Sequence, residues 1–442
     1  MKLAILGGGG FRVPLVYEAL IGHPLINSVA LHDSSAERLE AIRRVIDAMP
    51  GGPTLTATTD LDTAIKGADF VFAAIRVGGA EARVKDERVA LDLGLLGQET
   101  IGPGGLAYAL RTIPVMHDVA ERIAKFAPKA WTINFTNPAG IVTQAMQQVL
   151  GDRVVGICDT PIGLVGRVSR LLGVDMQQEH ERVAYDYVGL NHLGWLRSVK
   201  IDGEERLPGL LADDAALHEI EEARVVGKDW VRATGALPNE YLYYYLHTDE
   251  AIQNILDAGQ TRGEFLVENQ ARFYQKAACC ESPLTHWRTA LRQREETYMQ
   301  EAREEERREE DIAGGYQEVA LRLMNALATG TSERMILDVA NRQGDRRIVD
   351  ALPEETVVEV PCVVDDKGVH PQEVAPLSLE HLGRLAGLRA SEAAIAEAAL
   401  TGSRDQAWEG FSIHPLVNSP RLGAQLLEGY LAAHEGLRLV LP

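Results

Sequence analysis

The sequence predicts an α/β fold, with a doubly wound parallel sheet in the first part of the chain and an α+β domain after it. Three observations predict it. Short apolar runs alternate with helix-period segments up to about residue 165, the pattern of successive β–α units. The run Asp69-Phe70-Val71-Phe72-Ala73-Ala74-Ile75 is almost wholly apolar, as a parallel strand buried on both faces is. After Leu172 the pattern changes to period-two strands interrupted by polar turns, mixed with helices. The expected division is residues 1–165 and 166–442.

Taken in order, residues 2–6 form a buried strand that runs into Gly7-Gly8-Gly9-Gly10-Phe11-Arg12. Gly7 and Gly9 fill the first two places of a G-x-G-x-x-G fingerprint, and Arg12 stands at the third. Such a turn lets backbone N–H groups approach a pyrophosphate; alone, it is equally a tight turn. A helix over 13–20 follows, then a strand over 29–33 that ends in Asp33. An acid at that distance suits a ribose 2′-hydroxyl and favours NAD over NADP. Strand, glycine turn, helix and acid in sequence make a Rossmann-like dinucleotide site, with Gly7, Gly9, Phe11, Arg12 and Asp33 in the cofactor region. The alternation continues with strands over 55–58, 69–75, 131–135 and 154–157, and helices over 61–66, 106–126 and 138–150.

The second part opens with alternating positions over 182–201, broken at Gly189 to Gly194, which predicts antiparallel strands around a polar turn. Helices are expected over 251–256, 262–275, 315–328, 378–399 and 418–435, and a strand over 356–362. The stretch 292–311 is dense in glutamate and arginine and reads as a solvated helix or mobile loop, not a site.

Composition narrows the function. The 442 residues are 46% apolar, ordinary for a globular protein. No apolar run is long enough to span a membrane, and the chain starts directly in a strand without signal-peptide features, so a cytoplasmic location is expected. The four cysteines are not patterned as a disulfide framework. A net charge of −20 argues against nucleic acid as a partner. It also means that an anionic substrate needs locally placed arginines.

Candidate site residues cluster at predicted strand ends, where open α/β sheets bind ligands. Cys158 and Asp159 end one strand, ahead of Pro161. Read locally, they are a buried cysteine and a helix N-cap. Asn137 is either a donor and acceptor for sugar hydroxyls or a cap before Pro138. Cys158 and His192 suit a transition metal but supply only two ligands, and His192 is equally a turn residue. Tyr241 belongs to a tyrosine cluster that packs as core by default. It can act as a base only if positive charge lowers its pKa, and Arg262 is a candidate for that.

Together these pieces resemble glycoside hydrolase family 4, whose members depend on NAD and a divalent metal. The likeness runs through the glycine turn, Arg83 to Glu87, Gly97 to Gly105, Asn134 to Pro138, Cys158-Asp159, Asn191-His192, Tyr241 and Thr261 to Glu264. It continues through Gly314-Gly315-Tyr316 and Val357 to Pro361. The resemblance implies hydride removal from C3 of a glycoside by NAD, proton removal at C2, elimination at C1, addition of water and return of the hydride. It implies Cys158 and His192 as ligands of Mn²⁺, Tyr241 as the base at C2 and Asp159 as proton donor to the leaving group. It also implies Arg83, Asn137 and Arg262 as substrate contacts. Residues 134–143 and 189–195 resemble the 6-phospho-β-glucosidase branch. Asp159 is the departure, since aspartate after the metal cysteine belongs to the 6-phospho-α-glucosidase branch. The partner implied is a small phosphoglycoside, and the assembly a homodimer or homotetramer.

Overall fold

The computed structural model describes residues 1–176, 178–279, 281–302 and 315–442. Its strands are β1 (Lys2–Leu6), β2 (Ser28–His32), β3 (Thr54–Thr58), β4 (Phe70–Ala73), β5 (Trp131–Asn134), β6 (Val154–Gly156), β7 (Val183–Leu190) and β8 (Leu193–Ile201), followed by β9 (Glu204–Glu205), β10 (Leu237–Pro238), β11 (Glu333–Ala340), β12 (Val357–Asp365) and β13 (Gly368–Pro371). All of them join one sheet, in the order β3-β2-β1-β4-β5-β6-β11-β12-β7-β8-β10, with β13 on β12 and β9 on β8. The segment β3 to β6 is parallel. Its order is that of a dinucleotide-binding doubly wound sheet, with β1 and β4 at the switch point. From β6 onward the neighbours are antiparallel.

The parallel strands form because their side chains are apolar on both faces; Leu3, Ala4, Ile5 and Leu6 are all fully buried. At the end of β5, Asn134 Nδ2 donates to Thr136 O, Ala139 O and Thr143 Oγ1, which shapes the turn into the helix Ala139–Leu150. The β7–β8 hairpin closes through Asn191 and His192, and His192 has φ 67°. Gly194 is required beside it, because a Cβ there would lie 2.4 Å from the Tyr187 hydroxyl oxygen.

The two kinds of sheet meet at one register pair, Asp338 opposite Gly156. Asp338 also faces Glu359 across β11 and β12. Both carboxyl groups are buried. Glu359 accepts from the Tyr187 hydroxyl at 2.9 Å and from Asn191 Nδ2 at 3.4 Å. Neither oxygen of Asp338 has a hydrogen-bond partner among the described residues.

The last helices fold back over the parallel sheet. Ile395, Phe411, Leu426 and Tyr430 share a core cluster with Leu6, Ile113 and Val142. From the other side, Phe273, Trp287 and Tyr316 share a cluster with Phe11 and Val13 of the glycine turn. No helix among the described residues is long and apolar enough to cross a membrane.

Several elements lay outside the sequence expectation. The helix Gly79–Leu91 was not expected, because its buried face carries Arg83, Asp86 and Glu87 rather than an apolar stripe. The helix Ala36–Asp47 and strand β11 were also not anticipated. Within 292–311, the helix Pro283–Glu296 continues through Arg294, a short 3₁₀ turn covers Gln300–Ala302, and residues 303–311 lie outside the described residues.

Candidate active site

A cavity of about 430 Å³ opens at the carboxyl ends of β1, β4, β5 and β6. The glycine turn after β1 forms one wall. Gly7 has φ +81°, and a Cβ there would lie 2.4 Å from Ala74 O, so only glycine lets this turn pass so close to the end of β4. Gly7, Phe11 and Arg12 line the cavity, whereas Gly9 and Asp33 are not among its lining residues. Asp33 instead fastens the turn, its Oδ2 accepting from Gly9 N at 3.0 Å and its Oδ1 from Ser35 N at 2.9 Å. Three side chains from the second half pin the same turn from outside. Tyr274 OH donates to Gly9 O, Trp287 Nε1 to Phe11 O and Tyr316 OH to Arg12 O, at 2.7, 2.8 and 2.8 Å.

The opposite wall gathers Asn137, Cys158, Asp159, His192 and Tyr241. Cys158 follows β6 and is buried. Burial, then the nearby Glu359 and Asp159, push its thiol well above the usual range, against hydrogen bonds from Thr160. Asp159 holds the N-cap position of the helix Thr160–Leu171, yet its side chain caps no N–H. Likewise the N-cap of the preceding helix, Ala139–Leu150, is Pro138, not Asn137. Both polar side chains are thus left to face the cavity. His192 is held with Nδ1 3.2 Å from Thr100 Oγ1, and its ring stacks on Tyr241 with centroids 3.9 Å apart. Burial depresses the imidazole to about 4, so it is neutral at physiological pH and has a lone pair to offer a metal.

The Tyr241 hydroxyl lies 2.8 Å from that of Tyr298, and Tyr298 donates to Glu240 Oε1 at 2.9 Å. With that donor committed, Tyr241 donates to Tyr298, and a hydroxyl chain leads from Tyr241 to a carboxylate. Burial, then Glu240, hold the Tyr241 pKa well above its ordinary value. Arg262 does not relieve this, and here the structure corrects the sequence reading. Arg262 is not among the lining residues; its guanidinium donates to Thr297 O, Thr297 Oγ1 and Arg294 O, and so caps the helix that ends at Glu296. Arg83 does reach the wall, but it is already paired with Glu87 at 2.6 Å and Glu99 at 2.8 Å.

The family 4 glycosyl hydrolase model matches residues 2–174, and that of the family's C-terminal domain matches residues 187–417. The chain belongs to glycosyl hydrolase family 4. This family-4 hydrolase is 31% identical to a probable 6-phospho-β-glucosidase of Bacillus subtilis, over 98% of this chain and 96% of the relative. It is 29% identical to a maltose-6′-phosphate glucosidase of the same organism, over 98% and 96%. Among solved structures, a 6-phospho-α-glucosidase from gut microorganisms in complex with NAD and Mn²⁺ superposes with a TM-score of 0.80. That enzyme shares 25% identity, with 99% of this chain and 98% of that chain covered.

The residues of this hydrolase fit both a dinucleotide and a divalent cation. In the glycine turn, the N–H groups of Phe11 and Arg12 have no partner among the described residues, which leaves them free for an anionic group. For a metal, the described residues contain no cluster of three or more His, Cys, Asp and Glu. A cation held by the thiol of Cys158 and the imidazole of His192, which line the same cavity, would keep coordination positions for a ligand. Sequence reasoning missed Tyr298, Arg294 and Glu295, which line the cavity from the charged stretch that had been read as solvent-facing. The one signal available was an isolated aromatic residue, Tyr298, among charges.

Proposed function

We propose that this family-4 hydrolase cleaves 6-phospho-β-glucosides with the help of NAD and a divalent cation such as Mn²⁺. The observation that carries the reading is that Cys158, Asp159, His192 and Tyr241 face one cavity together with the glycine turn. Bound there, NAD supplies a reversible hydride acceptor for C3, and the cation supplies Lewis-acid polarisation of the sugar oxygens. Cys158 and His192 hold the cation, the cysteine as its thiolate. A reducing compartment such as the cytoplasm keeps that thiol available.

Tyr241 takes the C2 proton at its hydroxyl oxygen. Its own proton leaves through Tyr298 towards Glu240. Asp159 gives a proton to the departing oxygen, and its carboxyl is free to do so because it caps no helix. Arg83 and Asn137 contact the sugar, and Arg262 acts indirectly, by fixing the segment that carries Arg294 and Tyr298.

The β-anomer is supported by the segments 134–143 and 189–195 and by the 31% identical relative. The uncommitted Asp159 carboxyl favours a second reading, the 6-phospho-α-glucoside. A panel of chromogenic α- and β-glucosides, with and without 6-phosphate, separates them. Release from the 6-phospho-β-glucoside only with NAD, Mn²⁺ and reductant is expected. Release from the α-anomer alone transfers the assignment, and no release from any member sinks the hydrolase reading. The homodimer or homotetramer implied by the family is checked by light scattering.

A further inference from the structure

The loop from Gly97 to Gly105 reaches the cavity at two points. One is Glu99, tied to Arg76 and Arg83. The other is Thr100, which lines the cavity together with His192. The loop lies close against the start of the helix Pro103–Phe126. A Cβ at Gly104 would lie 2.4 Å from Gln98 O, and one at Gly105 2.4 Å from Thr100 O, so only glycine lets the helix approach this closely. Gln98 and Ile101, on either side of Glu99 and Thr100, are buried. Thr100 is thus fixed by its surroundings rather than left on a free loop.

The Gln98 side chain sets the direction of the hydrogen bonds. Its Oε1 accepts from Thr100 N at 2.6 Å and from Ile101 N at 2.8 Å. Two backbone N–H groups require an oxygen there, so the orientation of the amide is settled. The Thr100 hydroxyl lies 3.2 Å from the same Oε1 and 3.2 Å from His192 Nδ1. An amide oxygen carries no proton, so that first contact is a hydrogen bond only if Thr100 donates.

The threonine has one proton for two neighbours. Given to Nδ1, it would leave the lone pairs of Thr100 Oγ1 and Gln98 Oε1 facing each other. Given to Oε1, it leaves Oγ1 to accept a proton from Nδ1, and both contacts are satisfied. The second arrangement puts the imidazole proton on Nδ1. An imidazole that offers a lone pair to a cation carries its proton on the other nitrogen. His192 Nε2 has no hydrogen bond with any described residue and is not sealed from solvent.

We propose that Thr100 is a positioning residue that keeps the His192 proton on Nδ1 and so reserves the Nε2 lone pair for a divalent cation. The proposal rests on the reading of Cys158 and His192 as cation ligands and sharpens it. Gln98 acts one step further out, by accepting the threonine proton. The ring is then fixed at one edge by Thr100 and on one face by Tyr241. Presetting both tautomer and orientation in this way strengthens a histidine ligand.

Nitrogen NMR on the full, metal-free chain with ¹⁵N-labelled histidine reports which ring nitrogen carries the proton, and His192→Gln identifies the His192 signals. The wild-type proton should be on Nδ1. Mn²⁺ titration followed by electron paramagnetic resonance then gives the affinity for the cation. Thr100→Val keeps the shape and removes the hydroxyl. It should move the proton towards Nε2 and weaken Mn²⁺ binding by roughly 10- to 100-fold, the scale of a lost partner behind a ligand. NAD affinity, measured by calorimetry, should change by less than about twofold. Thr100→Ser keeps the hydroxyl and should restore both the tautomer and the Mn²⁺ affinity. A wild-type proton on Nε2 overturns the proposal, as does a Thr100→Val variant with the wild-type tautomer and Mn²⁺ affinity. A loss that Thr100→Ser does not recover also overturns it and leaves Thr100 a packing role. If the wild-type chain has its proton on Nδ1 yet binds no Mn²⁺, the cation-ligand reading fails, a result distinct from the others.

Discussion

Tyr241 shows how much a single side chain depends on its surroundings. Its hydroxyl is buried, stacked against His192 and joined to Tyr298, and burial with Glu240 disfavours its anion. A cation held at Cys158 and His192, as proposed, would favour the tyrosinate through its charge. Tyr241→Phe should abolish exchange of the C2 proton with deuterated solvent, followed by NMR, and leave NAD affinity intact. Glu99 shows the reverse balance. Burial raises its carboxyl, but Arg76, Arg83 and Arg294 outweigh burial and hold it at about 2, below the ordinary 4.5. A depressed carboxyl stabilises the fold above its unfolded pKa and loses that contribution as pH falls through the folded one. Glu99→Gln should therefore destabilise the protein at pH 7 by about 3–5 kcal/mol, the cost of stranding buried partners. Urea melts should show that gap closing between about pH 4.5 and pH 2. Cys158, His192 and Tyr241 were legible in the sequence only through their order along the chain. Locally, each looks like an ordinary buried thiol, turn histidine or core tyrosine.

At the level of elements, strands were legible where burial on both faces demanded apolar runs, and β1 and β4 fall close to where the sequence put them. The helix Gly79–Leu91 was not, because its inward face is ionic. Asp86 on that helix accepts both terminal nitrogens of Arg111, at 2.8 and 2.6 Å, and lies 2.9 Å from His434 Nε2. The Tyr430 hydroxyl donates to its backbone oxygen at 3.1 Å. Three helices distant in sequence are locked at this point. Asp86→Ala strands a buried guanidinium and should cost about 3–5 kcal/mol in chemical denaturation. Because Arg83 rides on the same helix, glucose 6-phosphate affinity should fall too. The hairpin turn at Asn191-His192 was legible from its glycines, but the left-handed backbone of His192, which turns the ring towards Tyr241, was not.

Across the whole molecule, the sheet passes without interruption from parallel to antiparallel strands, and the C-terminal helices return to cover the parallel part. The apolar side chains that bury Leu6 and Ile113 include Ile395, Phe411 and Tyr430 from near the end of the chain. Residues 1–174 expressed alone should therefore expose that face and the free edge of β6, and be recovered aggregated or molten, as dye binding and circular dichroism will show. The full chain should melt in a single calorimetric transition.

The join between the two kinds of sheet has one further consequence. Asp338 and Glu359 face each other there without a counter-ion among the described residues. Burial above all, then Glu392 for the first and Asp338 for the second, push both carboxyl groups upward. Each raised acid stabilises the fold while protonated and withdraws that stability as pH rises through its folded pKa. Hydrogen ions act here as mortar in the β-structure, and mild alkali dissolves it. Asp338→Asn should raise the melting temperature at pH 8–9 more than at pH 5, and an equal shift at both would show that this seam is not held by protons.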